Sequence, residues 1–356
     1  MDKTEIQKAI GDIFNPGKLV DLTAPIQVVQ NKWGLINALG IFSEEMKSQK
    51  IVQINRTQED VALLEDRNWN ERKPTQKGVE RDFALVKVPH FPIQDMVTPT
   101  DVDGNVDVDA LFQGQISVPL TVQKVVADKI VRMRQKAAIT LEFARAQLLR
   151  NGTVYAPNST VSQNFYTEFG LTRQTINLDL ASVTDNPLSQ FEDAYGTVQD
   201  NLLSGDIVTD MIALCSPEFF NALVSNVFVV ESFMGWQQPQ GMDILNQRLG
   251  TRAPLDRRYR VFDYAGVTFI EVRGGVGGVD YIETGKAYMF PRGTDSFRTF
   301  FAPAEKFSSV NKPAEQVYLF STMGEKDDKI ELEMETNFVN ALVRPQVVVT
   351  LDMEGE

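Results

Sequence analysis

"SVPLTVQKVVADKIVRMRQKAAITLEFARAQLLRNG", residues 117–152, is the strongest secondary-structure signal in the chain. Ser117 can cap a helix, Pro119 suits its first turn, and Asn151-Gly152 closes it. Between these ends Val126, Ile130, Met133, Ala137, Leu141, Ala144 and Leu148 recur at intervals of four and three, so all seven share one face. Lys124, Asp128, Arg132, Glu142 and Arg150 are expected on the opposite face. Roughly thirty residues, each rising about 1.5 Å, predict a rod of about 45–50 Å, far longer than an ordinary three-turn helix. Such a rod is a spine on which other elements can pack.

Upstream lies "IVQINRTQEDVALLEDRNWNERKPTQKGVERDFALVKVPHFP", residues 51–92, which is polar and charge-dense between two alternating apolar ends, Ile51 to Ile54 and Phe83 to Val88. Two strands joined by about thirty solvated residues predict a long protruding hairpin rather than a compact domain. Its few apolar residues cannot offset the entropy of ordering it in a lone molecule, so neighbours are expected to order it. Arg67, Arg72, Lys73, Lys77 and Arg81 surround Trp69, a pattern that could stack on nucleic acid. Glu65, Asp66, Glu71, Glu80 and Asp82 are interleaved with them, however, and mixed charge is better suited to a neighbouring protein surface. Residues 1 to about 24 read as an amphipathic arm carrying Ile6, Ile10, Ile13 and Phe14. The stretch "DVDGNVDVD", residues 101–109, invites a calcium loop, but Gly104 stands fourth and Phe112 twelfth where an EF-hand needs glycine sixth and glutamate twelfth. An Asp-Gly turn is expected instead.

Downstream, residues 153–180 read as short strands and turns. A compact region begins at Asn186, with a helix near 187–203, a strand "TDMIALC" and one helix "SPEFFNALVSNVFVVESF" capped by Ser216 with Pro217 in its first turn. The strands "YRVFDYAGVTFIEV" and "KAYMF" flank Gly274, Gly275, Gly277 and Gly278. A phosphate loop needs the P-loop Gly-Lys-Ser/Thr or a G-x-G-x-x-G opening a helix, and neither spacing is met. Strand, glycines and strand predict a hairpin or loop tip. Near the C-terminus Ile330, Leu332 and Met334 alternate with Glu331, Glu333 and Glu335, which a half-buried antiparallel strand explains more cheaply than a metal or catalytic carboxylate set.

With 356 residues, 43% hydrophobic and 23% charged, the chain has the composition of a folded protein with one large or two ordinary domains. A net charge of −13 argues against a dedicated nucleic-acid binder, which needs surplus Lys and Arg. Cys215, the single cysteine, rules out an intramolecular disulfide and sits in "MIALCSPEFF", the expected end of a buried strand. His90, the single histidine, lies between two prolines in an expected loop, so no His/Cys metal cluster, H-E-x-x-H motif or catalytic triad can be assembled around it. No catalytic, metal or cofactor residue is expected. Without a signal-peptide run or a long apolar stretch, folding in a reducing cytoplasm is expected, with no membrane partner.

The order of elements resembles the major capsid protein of tailed double-stranded DNA bacteriophages, in particular the lambda-like major capsid protein E family. The resemblance rests on "PTQKGVERDFALVKVPHFP" (74–92), the spine, "SPEFFNALVSNVF" (216–228), "FDYAGVTFIEV" with "TGKAYMFPRGT", and "FVNALVRPQVVV" (338–349). It implies an α+β tailed-phage capsid fold divided into an N-terminal arm (1–24), an entry segment (25–50), an extended loop lying over the adjacent subunit (51–92), a peripheral domain (93–185, with the spine at about 117–151), an axial domain (186–323) and return strands of the peripheral domain (324–356). It also implies self-assembly into hexamers and pentamers of an icosahedral head around phage DNA. Trp69, Arg72, Lys73, Lys77, Arg81, Gly274, Gly275, Gly277 and Gly278 become candidate subunit-interface residues, the glycines at a hairpin near a symmetry axis. A short arm implies a separate scaffolding protein, and a portal follows. Some relatives are locked by a lysine–asparagine isopeptide bond, for which Lys73 or Lys77 lies in the right loop. Lambda-like capsids use a decoration protein instead, and contact with packaged DNA is expected to be weak and non-specific. An encapsulin-like cargo shell and, more distantly, a nucleotide-binding enzyme using the glycine loop remain as alternatives.

Overall fold

The computed structural model describes residues 19–21, 34–57, 81–103, 118–158, 163–182, 184, 186–202, 206–236, 258–324 and 328–353. The Ser117 cap, the Gly104 turn and most of the N-terminal arm lie outside them.

The spine is a single helix, Val118–Asn151, of 34 residues. Val126, Met133, Ala137, Ala144 and Leu148 are buried and Ile130 and Leu141 half-buried, while Lys124, Asp128 and Arg132 face solvent. At its C-terminal end the amide of Gly152 donates to the Leu148 carbonyl (2.7 Å). Gly152 adopts φ 66°, a left-handed conformation that glycine reaches without strain. The Arg173 guanidinium donates to the carbonyls of Leu149 (2.8 Å) and Arg150, satisfying orphan acceptors of the last turn.

Glu142 departs from the expected polar face. It is only 4% exposed, and its carboxylate accepts from the backbone amides of Ile36 (2.7 Å) and Asn37 (2.8 Å), at the start of a short helix Leu35–Leu39. Arg145, one turn on, is also buried and donates to Asn37 (2.8 Å), Glu44 (2.9 Å) and Thr299 (3.1 Å). Helical periodicity separates an apolar stripe from everything else, but it cannot tell water from a second packed element that needs a charge at its N-terminus.

Two six-stranded sheets flank this spine. The first has the order β1 (Leu19–Asp21), β14 (Tyr318–Met323), β15 (Ile330–Leu342), β13 (Phe297–Phe301), β2 (Ser43–Met46), with β5 (His90–Val97) also paired to β15. The second has the order β6 (Gln174–Asn177), β16 (Val349–Asp352), β12 (Lys286–Arg292), β7 (Asp210–Cys215), β9 (Val267–Glu271), β8 (Val261–Tyr264). The N-terminal half of the spine packs on the first sheet through Val125, Val126, Met133 and Ala137 against Leu319, Leu332 and Met334. Helices Leu188–Asp200 and Pro217–Ser225 cover the second sheet around Phe191, Phe219 and Phe269. Pairing crosses the linear boundaries at 185/186 and 323/324. β13 and β14 join β15 in the first sheet, whereas β6 and β16 join the second. Hydrophobic pattern marks a strand but not its partner, which non-local register decides.

The expected helix after Ser216 is two helices, Pro217–Ser225 and Val227–Trp236. The Ser216 hydroxyl caps the first through Phe219 (3.2 Å). Asn226 then breaks the run: its side chain donates to the Leu180 carbonyl (2.9 Å) and accepts from the Phe228 amide (3.0 Å), so it starts a second helix. Cys215 ends a buried strand, and burial pushes its thiol well above the ordinary range. His90 is not a loop residue but opens β5, with Nδ1 2.7 Å from the Asn337 Oδ1. The Glu alternation holds for Glu331 and Glu333, but Glu335 is buried and accepts from the Glu305 amide (2.9 Å), because a loop folds over β15 there.

Glu271, at the end of β9, is 2% exposed and accepts from Arg260 (2.6 Å to Nη2) and Arg273 (2.7 Å). Burial alone would raise its pKa, but the hydrogen bonds and charges of the two arginines together hold it below the ordinary carboxylate value. A depressed folded pKa gives stability that is present above the unfolded value and lost as pH falls through the folded one. In urea unfolding, the stability advantage of wild type over Glu271→Gln should therefore be full near neutral pH and shrink below about pH 4. An advantage that stays constant from pH 7 to pH 3 contradicts this.

Candidate self-association surface

The sequence "FALV" at residues 83–86 is apolar at four consecutive positions. On a strand such a run puts apolar side chains on both faces, and only one of them can be served by the chain's own core. β3 (Ile51–Thr57) and β4 (Arg81–Lys87) form an isolated antiparallel ribbon, with Ile51 opposite Lys87, Gln53 opposite Leu85 and Asn55 opposite Phe83. Its inward residues Val52, Ile54, Ala84 and Val86 are buried in a core shared with Leu148 and Leu149 of the spine, Phe290 of the second sheet and Leu342 of the first. Its outward residues Ile51, Leu85 and Phe83 stand 56%, 56% and 63% exposed. The ribbon is firmly rooted: Arg56 donates to Gln346 (3.2 Å) and lies 3.6 Å from Asp82, and Gln163 donates to the Leu85 carbonyl (3.2 Å). An apolar face held rigidly in solvent is the physical signature of a docking surface.

Of the expected interface residues, Trp69, Arg72, Lys73 and Lys77 lie outside the described residues. Arg81 is the first residue of β4, its backbone paired with Thr57. The glycines form a tight hairpin: β10 (Gly275–Val276) pairs with β11 (Val279–Asp280) around Gly277 and Gly278, at φ 64° and 81°. Both turn residues are left-handed, as the two-residue hairpin turn demands, and the chain continues into a strand rather than a helix. The turn reading holds. Arg150 at the end of the spine donates to the Asp280 carbonyl (3.1 Å) and lies 3.5 Å from Glu283, which anchors the hairpin's root. Ile51, Phe83 and Leu85 were visible in the sequence only as parts of two strand ends; the unbroken apolar run at 83–86, a departure from the alternation expected there, was the signal for an outward apolar face.

A cleft of about 930 Å³ lies at the end of the spine, lined among others by Arg150, Arg173, Glu283, Lys286, Tyr288 and Asp352. Its charged side chains are engaged within the protein. Lys286 pairs with Glu283 (3.2 Å) and Asp352 (3.5 Å), and Arg173 stacks 4.8 Å over Tyr288 while donating to Thr350 (2.6 Å). Burial raises the Tyr288 phenol, which makes it a poor proton donor or acceptor at neutral pH. The cleft is a cross-braced joint between spine and second sheet. Among the described residues no group of three or more His, Cys, Asp or Glu could hold a metal, and no helix is long and apolar enough to cross a membrane.

The family model for phage major capsid protein E matches residues 18–353. The chain is 38% identical over 355 residues to the major capsid protein of Pseudomonas phage KPP10, covering 96% of this chain and 98% of that protein. It is 24% identical to the major capsid protein of Salmonella phage Felix O1, covering 95% and 96%. Among solved structures, the mature capsid asymmetric unit of bacteriophage PhiM1 superposes with a TM-score of 0.50 at 11% identity, covering 91% of this chain and 88% of that one, and so shares the fold alone. From a match that spans nearly every residue and a relative this similar along its whole length, the chain belongs to the phage major capsid protein E family.

Proposed function

We propose that this protein is the shell subunit of a phage head, whose copies associate into hexamers and pentamers and close into an icosahedral container for double-stranded DNA. The observation that carries the reading is the outward face of the ribbon, with Ile51, Leu85 and Phe83 held in solvent on a rooted two-stranded projection. Such a face is expensive for a solitary molecule and natural for one that lies against a sister copy. The outward face of the ribbon and the segment 58–80 between its strands are then the part of residues 51–92 that lies over the adjacent subunit, with Trp69, Arg72, Lys73, Lys77 and Arg81 as contacts around it, while His90–Pro92 stays paired with β15 of its own subunit. The spine and first sheet are the body of the peripheral domain, the second sheet with its helices is the axial domain, and the glycine hairpin is a further contact between copies. The role is structural rather than enzymatic. A scaffolding protein, a portal and a decoration protein complete the head, which is assembled in the host cytoplasm and ends in the virion.

The net charge of −13 suits a container whose contents must not adhere to the wall. Lys124 and Arg132 are exposed and free to touch phosphates weakly, whereas Arg150 is engaged with Asp280 and Glu283. Electron microscopy and sedimentation of the purified protein, expressed with and without its gene neighbours, test the reading. Closed particles, or rings of five and six, are expected. A monodisperse single subunit under every condition, joined to saturable heat of nucleotide binding in calorimetry, would replace it with the enzyme alternative.

A further inference from the structure

Phe307 is 101% exposed, the most exposed large apolar side chain among the described residues. It sits on a 3-10 turn, Phe307–Ser309, with Val310 next in the chain at 58% exposure. Val310 closes that turn, its amide donating to the Phe307 carbonyl (3.4 Å), which brings the two exposed residues together as one apolar knob.

The loop that carries the knob, between β13 and β14, is pinned along its length. Asn337 donates to the Pro303 carbonyl (3.2 Å), and the buried Glu335 accepts from the Glu305 amide (2.9 Å). Lys306 donates to Glu333 (2.6 Å) and lies 5.5 Å over the Phe320 ring. Ser309 and Lys312 donate backbone bonds to Lys306 (3.0 Å) and Ser309 (3.3 Å), and Ala314 donates to the Lys47 carbonyl (3.1 Å). A slack loop would fold a phenylalanine back onto the protein. This one holds it outward, which is the arrangement of a pre-organised interface anchor.

We propose that Phe307, with Val310, is a docking knob that seats in a second copy of this chain. Size argues for that occupant. Two such side chains bury roughly 300 Å² at most, against about 800 Å² per partner in a stable interface, so the knob cannot recruit a free protein by itself. It serves where the partner is already held nearby by other contacts, and a shell of identical copies provides that at every position. Location agrees: Glu305 pairs with Lys50 (3.4 Å), the residue preceding Ile51, so the knob adjoins the foot of the ribbon whose outward face is assigned to a neighbouring copy. The inference rests on the shell reading and adds to it a contact outside residues 51–92.

Two variants test it. Phe307→Ser should raise the protein concentration at which particles appear by about tenfold or more, with the unfolding midpoint of the unassembled subunit unchanged. Replacing Phe307 with the photoreactive p-benzoylphenylalanine, which keeps an aromatic knob, should give on irradiation of assembled particles a covalent dimer of this chain. Phe307→Ser particles forming at the wild-type threshold, or irradiated particles yielding no dimer or an adduct only to a different protein, would overturn the knob and leave the shell reading standing. Wild-type protein that forms no particles even when expressed with its gene neighbours overturns both.

Discussion

Phe83→Asp combined with Leu85→Asp should abolish particle formation and leave the unfolding midpoint of the isolated subunit within about 2 °C of wild type. The separation of the two effects follows from the ribbon's geometry. Phe83 and Leu85 point away from the core, while Ala84 and Val86, their neighbours on the same strand, point into it. Substituting the outward pair therefore removes little that the single subunit buries, since the two stand 63% and 56% exposed. At a contact between copies the same pair would contribute about 3–6 kcal/mol of apolar burial, and two carboxylates in its place would add a desolvation penalty of similar order. A loss above about 5 kcal/mol per contact corresponds to more than a thousandfold weaker association, and a closed shell repeats the loss at every subunit. Sedimentation velocity reads the association and thermal unfolding reads the fold. A double variant that assembles normally would show that the outward face has no partner, and one that unfolds would show that it belongs to the core.

The second large effect is at Glu142. Glu142→Ala should lower subunit stability by about 3 kcal/mol or more, because it orphans the Ile36 and Asn37 amides and removes a counter-charge from buried Arg145. Glu142→Gln retains an acceptor oxygen and should cost less at neutral pH. Burial raises the Glu142 carboxyl above its ordinary 4.5, more than the hydrogen bonds from Ile36 and Asn37 and the charge of Arg145 lower it. A raised folded pKa means that the folded state holds the proton more tightly, so stability from this group is present below the unfolded value and lost as pH rises through the folded one. Wild type should therefore lose stability relative to Glu142→Gln as pH climbs from about 4.5, the opposite slope to Glu271. Urea midpoints of the two glutamine variants across pH 3 to 7 separate the signs. Parallel pH profiles for the two would contradict the assignment.

What could be read in the sequence was local. The spine's four-and-three repeat, the Ser216-Pro217 start, the paired strands at the ends of residues 51–92 and the glycine turn each depend on a few neighbouring residues, and each is found. What could not be read depends on where distant segments meet. Glu142 looked like a solvated charge because nothing in its own helix reveals that Ile36 and Asn37, more than a hundred residues away, bring unsatisfied amides to it. Glu335 fits a clean alternation until the 302–317 loop folds over it. Asn226 splits a helix because its side chain reaches the Leu180 carbonyl, a contact that no periodicity encodes. The surface followed the same rule. Apart from Trp69, the interface residues expected from the sequence are charged residues and glycines, whereas the side chains left wholly or half in solvent at Phe307, Phe83, Leu85 and Ile51 are apolar, and a lone apolar residue in sequence looks the same whether it faces a core or a neighbour.

The most direct measurement is a near-atomic electron-microscopy reconstruction of the assembled particle, read at the ribbon. Ile51, Leu85 and Phe83 should be covered by an adjacent copy and lost to solvent. A particle in which that face remains open to water, or a ribbon folded back on its own subunit, would contradict the account.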